Sequence, residues 1–257
     1  MLTAERKELL LNRLRVEGRV VAKDIAVELS VSEDTVRRDL RELAGEGKLQ
    51  RVHGGALPAS PANANFSVRS DLALAGKIAV ATAAAKLIVP FQTVVIDGGT
   101  TAQQLARRLP LDLQATVITH SPTIAIELVN HPNVEVFLIG GRLFKHSVVA
   151  CGAVAAEGIE RLRADLFFMG VTGVHPTEGL TTGDAEEAAI KRSFSHRCAE
   201  TYVLASSEKI GAAASFTVVG LGQISGVITD RDANKKTLDA LKKAGVAITI
   251  ARPFARG

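Results

Sequence analysis

The run Val31-Ser32-Glu33-Asp34-Thr35-Val36-Arg37-Arg38-Asp39-Leu40-Arg41-Glu42-Leu43, followed shortly by Arg51-Val52-His53-Gly54-Gly55-Ala56, decides how the N-terminal part of this chain is read. Ser32 can cap a helix start, and Glu33 and Asp34 suit the positive end of the helix dipole. Val36, Leu40 and Leu43 fall at i, i+4 and i+7, so they make one apolar stripe and leave the other faces free. Thr35, Arg37 and Arg38 project from those faces near the N-terminal end, the end that helix-turn-helix proteins push into the major groove. Asp39 is expected to be structural, holding a neighbouring arginine or a backbone group.

An isolated Arg-Arg on a helix is ordinarily a solvated pair of charges, and the flanking sequence is what changes that reading. Leu9, Leu10, Leu14 and Val16 suit a first helix ended by Gly18, and Ile25, Ala26 and Leu29 suit a short second helix reaching Ser30-Val31-Ser32. Three helices with a tight final turn result. Beyond Gly45 and Gly47, the run from Lys48 to Gly55 reads as a short extended pair with basic side chains and glycines, as expected of a wing lying along phosphates.

With these residues in view, Arg6 to Ala56 resembles the N-terminal winged helix-turn-helix of the DeoR/GlpR family of bacterial sugar-metabolism repressors. The resemblance implies that Thr35, Arg37 and Arg38 contact double-stranded operator DNA, with Ser32 at the same helix end. Arg51, His53 and Gly54 then belong to the wing, with Lys48 beside them as a phosphate contact.

Composition sets outer bounds. A length of 257 residues with 47% hydrophobic content suits one large domain, or a small one plus a medium one. No apolar run approaches the ~20 residues that span a bilayer, and the first residues lack a secretory apolar region, so the expectation is a cytoplasmic protein with no membrane partner. Cys151 and Cys198 stand far apart without a Cys-x-x-Cys pair, which supports neither a disulfide framework nor a metal site; buried free thiols and no cofactor are expected. The net charge of +4 says little about nucleic acid, because Met1 to Ala56 holds eleven Lys/Arg against ten Asp/Glu. Only the absence of acidic residues between Glu46 and Asp71 is suggestive, so the motif carries the argument.

Further along, Leu57 to Ala64 turns to Pro, Ala, Ser and Asn without apolar periodicity and reads as a linker. Ile78, Ala79, Ala83 and Leu87 continue as one face of an alanine-rich helix. From Gln92 onward β-rich runs alternate with helical ones, the pattern of a mostly parallel sheet covered by helices. Expected strands are 93–96, 116–119, 134–139, 166–169, 202–205, 227–229 and 246–250; expected helices are 101–109, 123–130, 153–162, 185–196 and 235–244. The chain therefore reads as an α/β protein: a winged helix-turn-helix at 1–56, a linker at 57–72, and a larger Rossmann-like sensor domain at 73–257.

In a doubly wound sheet ligands collect where strands end. Asp97-Gly98-Gly99-Thr100-Thr101 follows an expected strand and leads into a helix, so glycines, hydroxyls and free N–H groups converge in what reads as a phosphate cradle. A plain turn capped by Thr100 fits the same residues. Other strand ends carry Gly140-Gly141-Arg142, then Gly179-Leu180-Thr181-Thr182 ahead of the helix bearing Lys191, and Ser206-Ser207-Glu208-Lys209. At these positions the DeoR/GlpR resemblance continues, together with a Phe-x-x-Arg element at Phe66 and Arg69. The family's second domain is similar in fold to ribose-5-phosphate isomerase and senses phosphorylated sugars. The resemblance implies that Gly98, Gly99, Thr100 and Thr101 hold a phosphate, that Lys209 helps neutralise it, and that Asp97 and Arg142 face sugar hydroxyls. Two departures stand out. Gly98 replaces the usual serine of Asp-Ser-Gly-Thr-Thr, and Ser206-Ser207-Glu208 replaces Asp-Ser-Ser before the lysine.

The resulting expectation is a repressor of carbohydrate-metabolism genes, working as a dimer or tetramer and relieved by a phosphorylated sugar. It is not expected to be an enzyme. The enzymatic alternative, a sugar-phosphate isomerase fused to a winged helix, needs a carboxylate as general base. Gly170-Val171-Thr172-Gly173 supplies none, which leaves Asp97, Glu178 and Asp184 as substitutes. A DNA-binding architectural protein with a ligandless second domain is a third reading, opposed by the Gly-Gly-Thr-Thr run and Lys209.

Overall fold

Gly18 ends the first helix, α1 (Thr3–Glu17), by turning the chain through the left-handed region at φ 76° in the computed structural model of the protein, which describes residues 2–252. A two-residue strand β1 (Val20–Val21) leads into α2 (Ala22–Glu28), and α3 (Glu33–Gly45) follows after a short turn. Strands β2 (Leu49–Val52) and β3 (Gly55–Pro58) form an antiparallel hairpin, and β1 adds to its other edge with Val20 opposite Ala56. Gly55 is required there, since a Cβ would stand 1.8 Å from the Val20 carbonyl oxygen. Leu10, Leu14, Ile25, Val36, Leu40 and Leu43 close one small core. Val16, named with Leu9, Leu10 and Leu14 as suiting this helix, lies outside that core and is 84% exposed. At ~100° per residue it lies about 200° around the helix from Leu14, on the opposite side.

The polypeptide between the two domains does not hang free. A 3-10 turn at Pro61–Asn63 and the short helix α4 (Phe66–Asp71) precede α5 (Leu74–Ala85), and both Ser60 and Ala62 are buried. The larger domain then runs β4 (Thr93–Ile96), α6 (Thr100–Ala106), β5 (Ala115–Thr119), α7 (Pro122–Leu128) and β6 (Val134–Leu138). A hairpin β7 (Arg142–Phe144) and β8 (Val149–Cys151) leads to α8 (Ala153–Glu160), β9 (Ala164–Gly170), β10 (Gly173–His175), β11 (Gly179–Thr182) and α9 (Ala185–Arg197). The chain continues through β12 (Cys198–Leu204), β13 (Phe216–Thr217), β14 (Gly226–Asp230), α10 (Lys235–Lys243) and β15 (Ile248–Ala251).

Seven strands form one parallel sheet in the order β15-β14-β12-β9-β4-β5-β6. Each of the seven runs of β-formers noted in the sequence is one of them. Successive residues of a strand point to opposite faces, so Val94, Ile96, Leu166 and Phe168 pack under α5, α6 and α7. Val95, Phe167 and Met169 instead pack under α8, α9 and α10. Fully burying a phenylalanine such as Phe167 or Phe168 contributes about 1.5–3 kcal/mol, which is why a sheet covered on both faces has such apolar strands. Strands β7, β8, β10, β11 and β13 are antiparallel additions of two to four residues, too short to show an alternating pattern in the sequence.

Strand order positions the ligand-binding end. From β4 the chain first builds outward through β5 and β6, then returns to the other side of β4 to lay down β9, β12, β14 and β15. The direction reverses between β4 and β9, and at such a switch point the loops leaving neighbouring strands diverge and open a crevice.

Candidate functional site

In the small domain, Ser32 caps α3: its Oγ accepts from the Thr35 N–H at 3.1 Å and lies 2.8 Å from Thr35 Oγ1. Val36, Leu40 and Leu43 are buried, which turns Arg37 and Arg38 outward; both are exposed. Arg37 is steadied by Glu33, one helical turn earlier, at 2.7 Å. A concave surface between helix and hairpin is lined by Arg37, Arg51, His53 and Gly54, which brings one of the α3 residues singled out in the sequence together with three of the hairpin; Ser32, Thr35, Arg38 and Lys48 lie outside it. Gly54, at φ 76°, makes the hairpin turn. Lys48 is exposed at the start of that hairpin, paired with Glu46 at 2.7 Å.

The second site is a polar cleft at the β4/β9 switch point. Gly98, Gly99, Thr100 and Thr101 form one wall, Gly170 at the end of β9 with Val171 and Thr172 just beyond it another, and Lys191 of α9 and Lys209 complete the base. Gly99 adopts φ 105°, a backbone conformation that residues with a side chain rarely take, although the space beside it is open. Lys209 Nζ donates to Thr101 Oγ1 at 3.4 Å. Burial lowers the Lys209 ammonium, Glu208 opposes that, and the positive charge of Lys77, Arg69 and Lys191 lowers it further, down to about 8.

Beneath this floor lies Asp97, wholly buried and fully occupied. Its Oδ1 accepts from the Gly98 N–H at 2.8 Å and stands 2.8 Å from His120 Nε2; its Oδ2 accepts from the Gly170 N–H at 2.8 Å and Lys191 Nζ at 2.6 Å. Burial by itself would raise the carboxyl, but Lys191 and His120 hold it well below the ordinary carboxylate range. The Asp97 carboxylate thus fastens the ends of β4 and β9 to α9, and it has no lone pair turned toward a sugar. Lys191 is likewise divided between Asp97 and Glu187, the latter at 3.4 Å.

Three other expected ligand residues lie away from the cleft. Arg142 sits on the β7–β8 hairpin, exposed and paired with Glu186. Gly141 is a packing position, since a Cβ there would stand 2.9 Å from the Cys151 carbonyl oxygen. Thr181 Oγ1 accepts from the Ala214 N–H at 2.9 Å on the far side of β11, and strand alternation turns Thr182 toward the cleft in its place.

Conversely, the cleft contains side chains that the sequence reading left unassigned: Arg69, Lys77, Ser147, Thr182, Glu187 and Glu208. Lys77 is 2% exposed, and its Nζ donates to the Arg69 carbonyl. One signal was available for it, a lone lysine inside the otherwise apolar run Leu74–Ala85. Glu187 accepts from Thr182 Oγ1 at 2.6 Å, and Lys191 holds its carboxyl below the usual range against the opposing effect of burial. Four cationic side chains stand around the cleft against Glu187, Glu208 and, beneath the floor, Asp97, and the remaining excess of one positive charge favours an anion.

A winged helix joined to a parallel α/β domain with a polar cleft at its switch point is the plan of a ligand-responsive DNA-binding regulator. Residues 6–61 match the DeoR-like helix-turn-helix domain and residues 73–231 the DeoR C-terminal sensor domain. The chain is 33% identical to the HTH-type transcriptional regulator GlpR of Haloferax volcanii, across 96% of this chain and 98% of that one. It is 32% identical to the regulator GolR of Listeria innocua, across 98% of this chain and 100% of that one. With the HTH-type transcriptional repressor GlcR of Bacillus subtilis it shares 30% identity across 97% of both. The chain belongs to the DeoR family of transcriptional regulators. No helix among the described residues is long and apolar enough to cross a membrane.

Proposed function

We propose that this protein is a cytoplasmic repressor of carbohydrate-metabolism genes, released from its operator when a phosphorylated sugar enters the switch-point cleft. The observation that carries the ligand class is the convergence of Arg69, Lys77, Lys191 and Lys209 on a cleft walled by the Gly98–Thr101 loop. Buried cations at such density are costly without an anion, and a phosphate would accept from the loop and from Lys209 together. The rest of the sugar would meet Thr172, Thr182 and the two glutamates. Repression follows the relatives' names, and operator binding follows the exposed Arg37, Arg38 and Arg51 face. Binding as a homo-oligomer would place recognition helices about one DNA turn apart.

Release requires the effector to favour the operator-free state, and a typical coupling of ~1–3 kcal/mol gives about 5 to 150-fold relief. The isomerase alternative has little support in the cleft. Asp97 is sealed beneath it, Asp184 is spent capping α9 at the Glu187 N–H, Glu178 is not among the residues lining it, and Lys191 keeps Glu187 a weak base, which leaves Glu208, with one buried carboxylate oxygen unpartnered, as the base that reading would need. The test is binding to DNA fragments upstream of its own and neighbouring genes, with and without a panel of sugar phosphates. Release by one compound, lost in Lys209→Ala while DNA affinity is retained, is the expected result. Operator binding insensitive to every compound would remove the sensor reading.

A further inference from the structure

The 3-10 turn Ser207–Lys209 carries a carboxylate that the family motif has elsewhere. Where the motif reads Asp-Ser-Ser before the lysine, this chain reads Ser206-Ser207-Glu208, so the acidic group has moved from position 206 to position 208. The two changed positions act together: the wholly buried Ser206 donates its hydroxyl to Glu208 Oε1 at 2.7 Å. Asp97 and Glu187 are both paired with Lys191, but Glu208 is not used in that way. Its Oε2 is buried and has no hydrogen-bond partner among the described residues, although the residue borders the cleft. Lys209, the next residue, gives its ammonium to Thr101 Oγ1. Successive residues of a 3-10 turn are about 120° apart, so cation and carboxylate stand at different points of the cleft wall.

A buried carboxylate oxygen without a donor is an unfavourable arrangement, and a ligand that brings a donor repairs it. Charge points the same way. The four cations exceed the three carboxylates by one, whereas a phosphate monoester brings about −1.5 to −2 at pH 7. Phosphate alone overshoots, and an ammonium on the same ligand restores neutrality beside Glu208. We propose that Glu208 is the specificity-determining acceptor of the cleft, and that the effector is a phosphorylated sugar with a free amine, whose ammonium donates to Glu208 Oε2 while its phosphate lies on the Gly98–Thr101 loop. A hydroxyl in place of the amine would satisfy the hydrogen bond and leave the charge uncompensated. The inference rests on the sugar-phosphate reading of the cleft and adds to it the class of sugar.

The test is calorimetry on the full-length protein with two matched pairs of probes and inorganic phosphate. The pairs are glucosamine 6-phosphate against glucose 6-phosphate, and galactosamine 6-phosphate against galactose 6-phosphate. In the wild type the amine of at least one pair should bind about tenfold more tightly than its hydroxyl twin, the size of one hydrogen bond between charged groups. Glu208→Gln should erase that preference, weakening the amine while tightening inorganic phosphate, because a negative charge leaves the cleft. Glu208→Asp, with the charge on a shorter arm, should keep part of it. Hydroxyl twins that bind as well as both amines in the wild type, or a preference that survives in Glu208→Gln, would overturn the proposal and leave the anion reading in place. Uniform loss of every probe in both variants would make Glu208 structural and overturn it too. Glu208 also borders a groove at the end of α1, and a Glu208→Gln variant altered only in ligand-free operator affinity would assign the carboxylate there instead. If neither phosphate nor any sugar phosphate binds the wild type, the anion reading falls with the inference.

Discussion

Arg6 and Asp39 form a two-pronged ion pair inside the winged helix, with Arg6 Nη2 donating to Asp39 Oδ1 at 3.1 Å and Nε to Oδ2. Asp39 is completely buried and Arg6 is 5% exposed, so the first helix and the proposed recognition helix are locked together by a contact that water does not reach. Asp39→Ala would strand the guanidinium, and losing one partner of a buried pair costs about 3–5 kcal/mol. The expected outcome is unfolding of the small domain at a lower denaturant concentration than the large one, together with loss of DNA binding. A single unchanged transition in urea would contradict it.

On the surface of the same helix, Arg37 and Arg38 should act on sequence preference. Replacing either with alanine should weaken operator binding by ~1–3 kcal/mol where it makes a bidentate base contact, and relax selectivity at that base pair. Lys48→Ala or Arg51→Ala should instead lower affinity for all DNA and reduce the salt dependence by about one unit per lost phosphate contact. Fluorescence anisotropy across a salt series separates the two patterns. Full operator affinity in the Arg37→Ala, Arg38→Ala double variant would remove the recognition-helix assignment.

Lys209 should give the proposed effector response a pH dependence. Its folded pKa of about 8 lies below the ordinary lysine value, so the ammonium is present below pH 8 and is lost as pH rises through it. A bound phosphate favours the charged form, hence binding above pH 8 must take up a proton and weaken with pH. For stability the sign is opposite: the unfolded lysine stays protonated up to its ordinary pKa, so burial of the charge is unfavourable below pH 8 and is relieved above it. Calorimetry in buffers of different ionisation enthalpy should show proton uptake in the wild type and less in Lys209→Met. Identical uptake in both would assign the titration elsewhere.

Gly98 stands where the family motif usually has serine, and Val149 supplies the physical reason. A Cβ at Gly98 would lie 2.1 Å from Val149 Cγ1, which already fills that space. Gly98→Ser should destabilise the large domain by about 1–3 kcal/mol through overpacking, and Val149→Ala should recover part of the loss in the double variant. Strictly additive effects in thermal unfolding would show that the two positions do not compete.

The cleft was only partly legible in advance, and particular residues show why. Gly98, Gly99, Thr100 and Thr101 were recognisable because a glycine pair followed by hydroxyls between a strand and a helix is a local pattern. Asp97 belonged to the same run, yet its role depends on Lys191, 94 residues away, and on His120. Thr181 and Thr182 were a single motif until strand register sent one to each face. Arg142 looked like a strand-end ligand, but a hairpin absent from any periodicity carries it outward to Glu186.

Local chemistry thus determined the winged helix, the seven parallel strands and the covering helices, because apolar periodicity, caps and glycine turns act within a few residues of themselves. Tertiary structure alone decided which strand ends meet, since strand order is set by packing between segments far apart in the chain. It also decided that the segment resembling a linker would bring Arg69 to the cleft beside Lys77. Bringing those cations together is a property of the folded charge distribution, and no run of neighbouring residues encodes it.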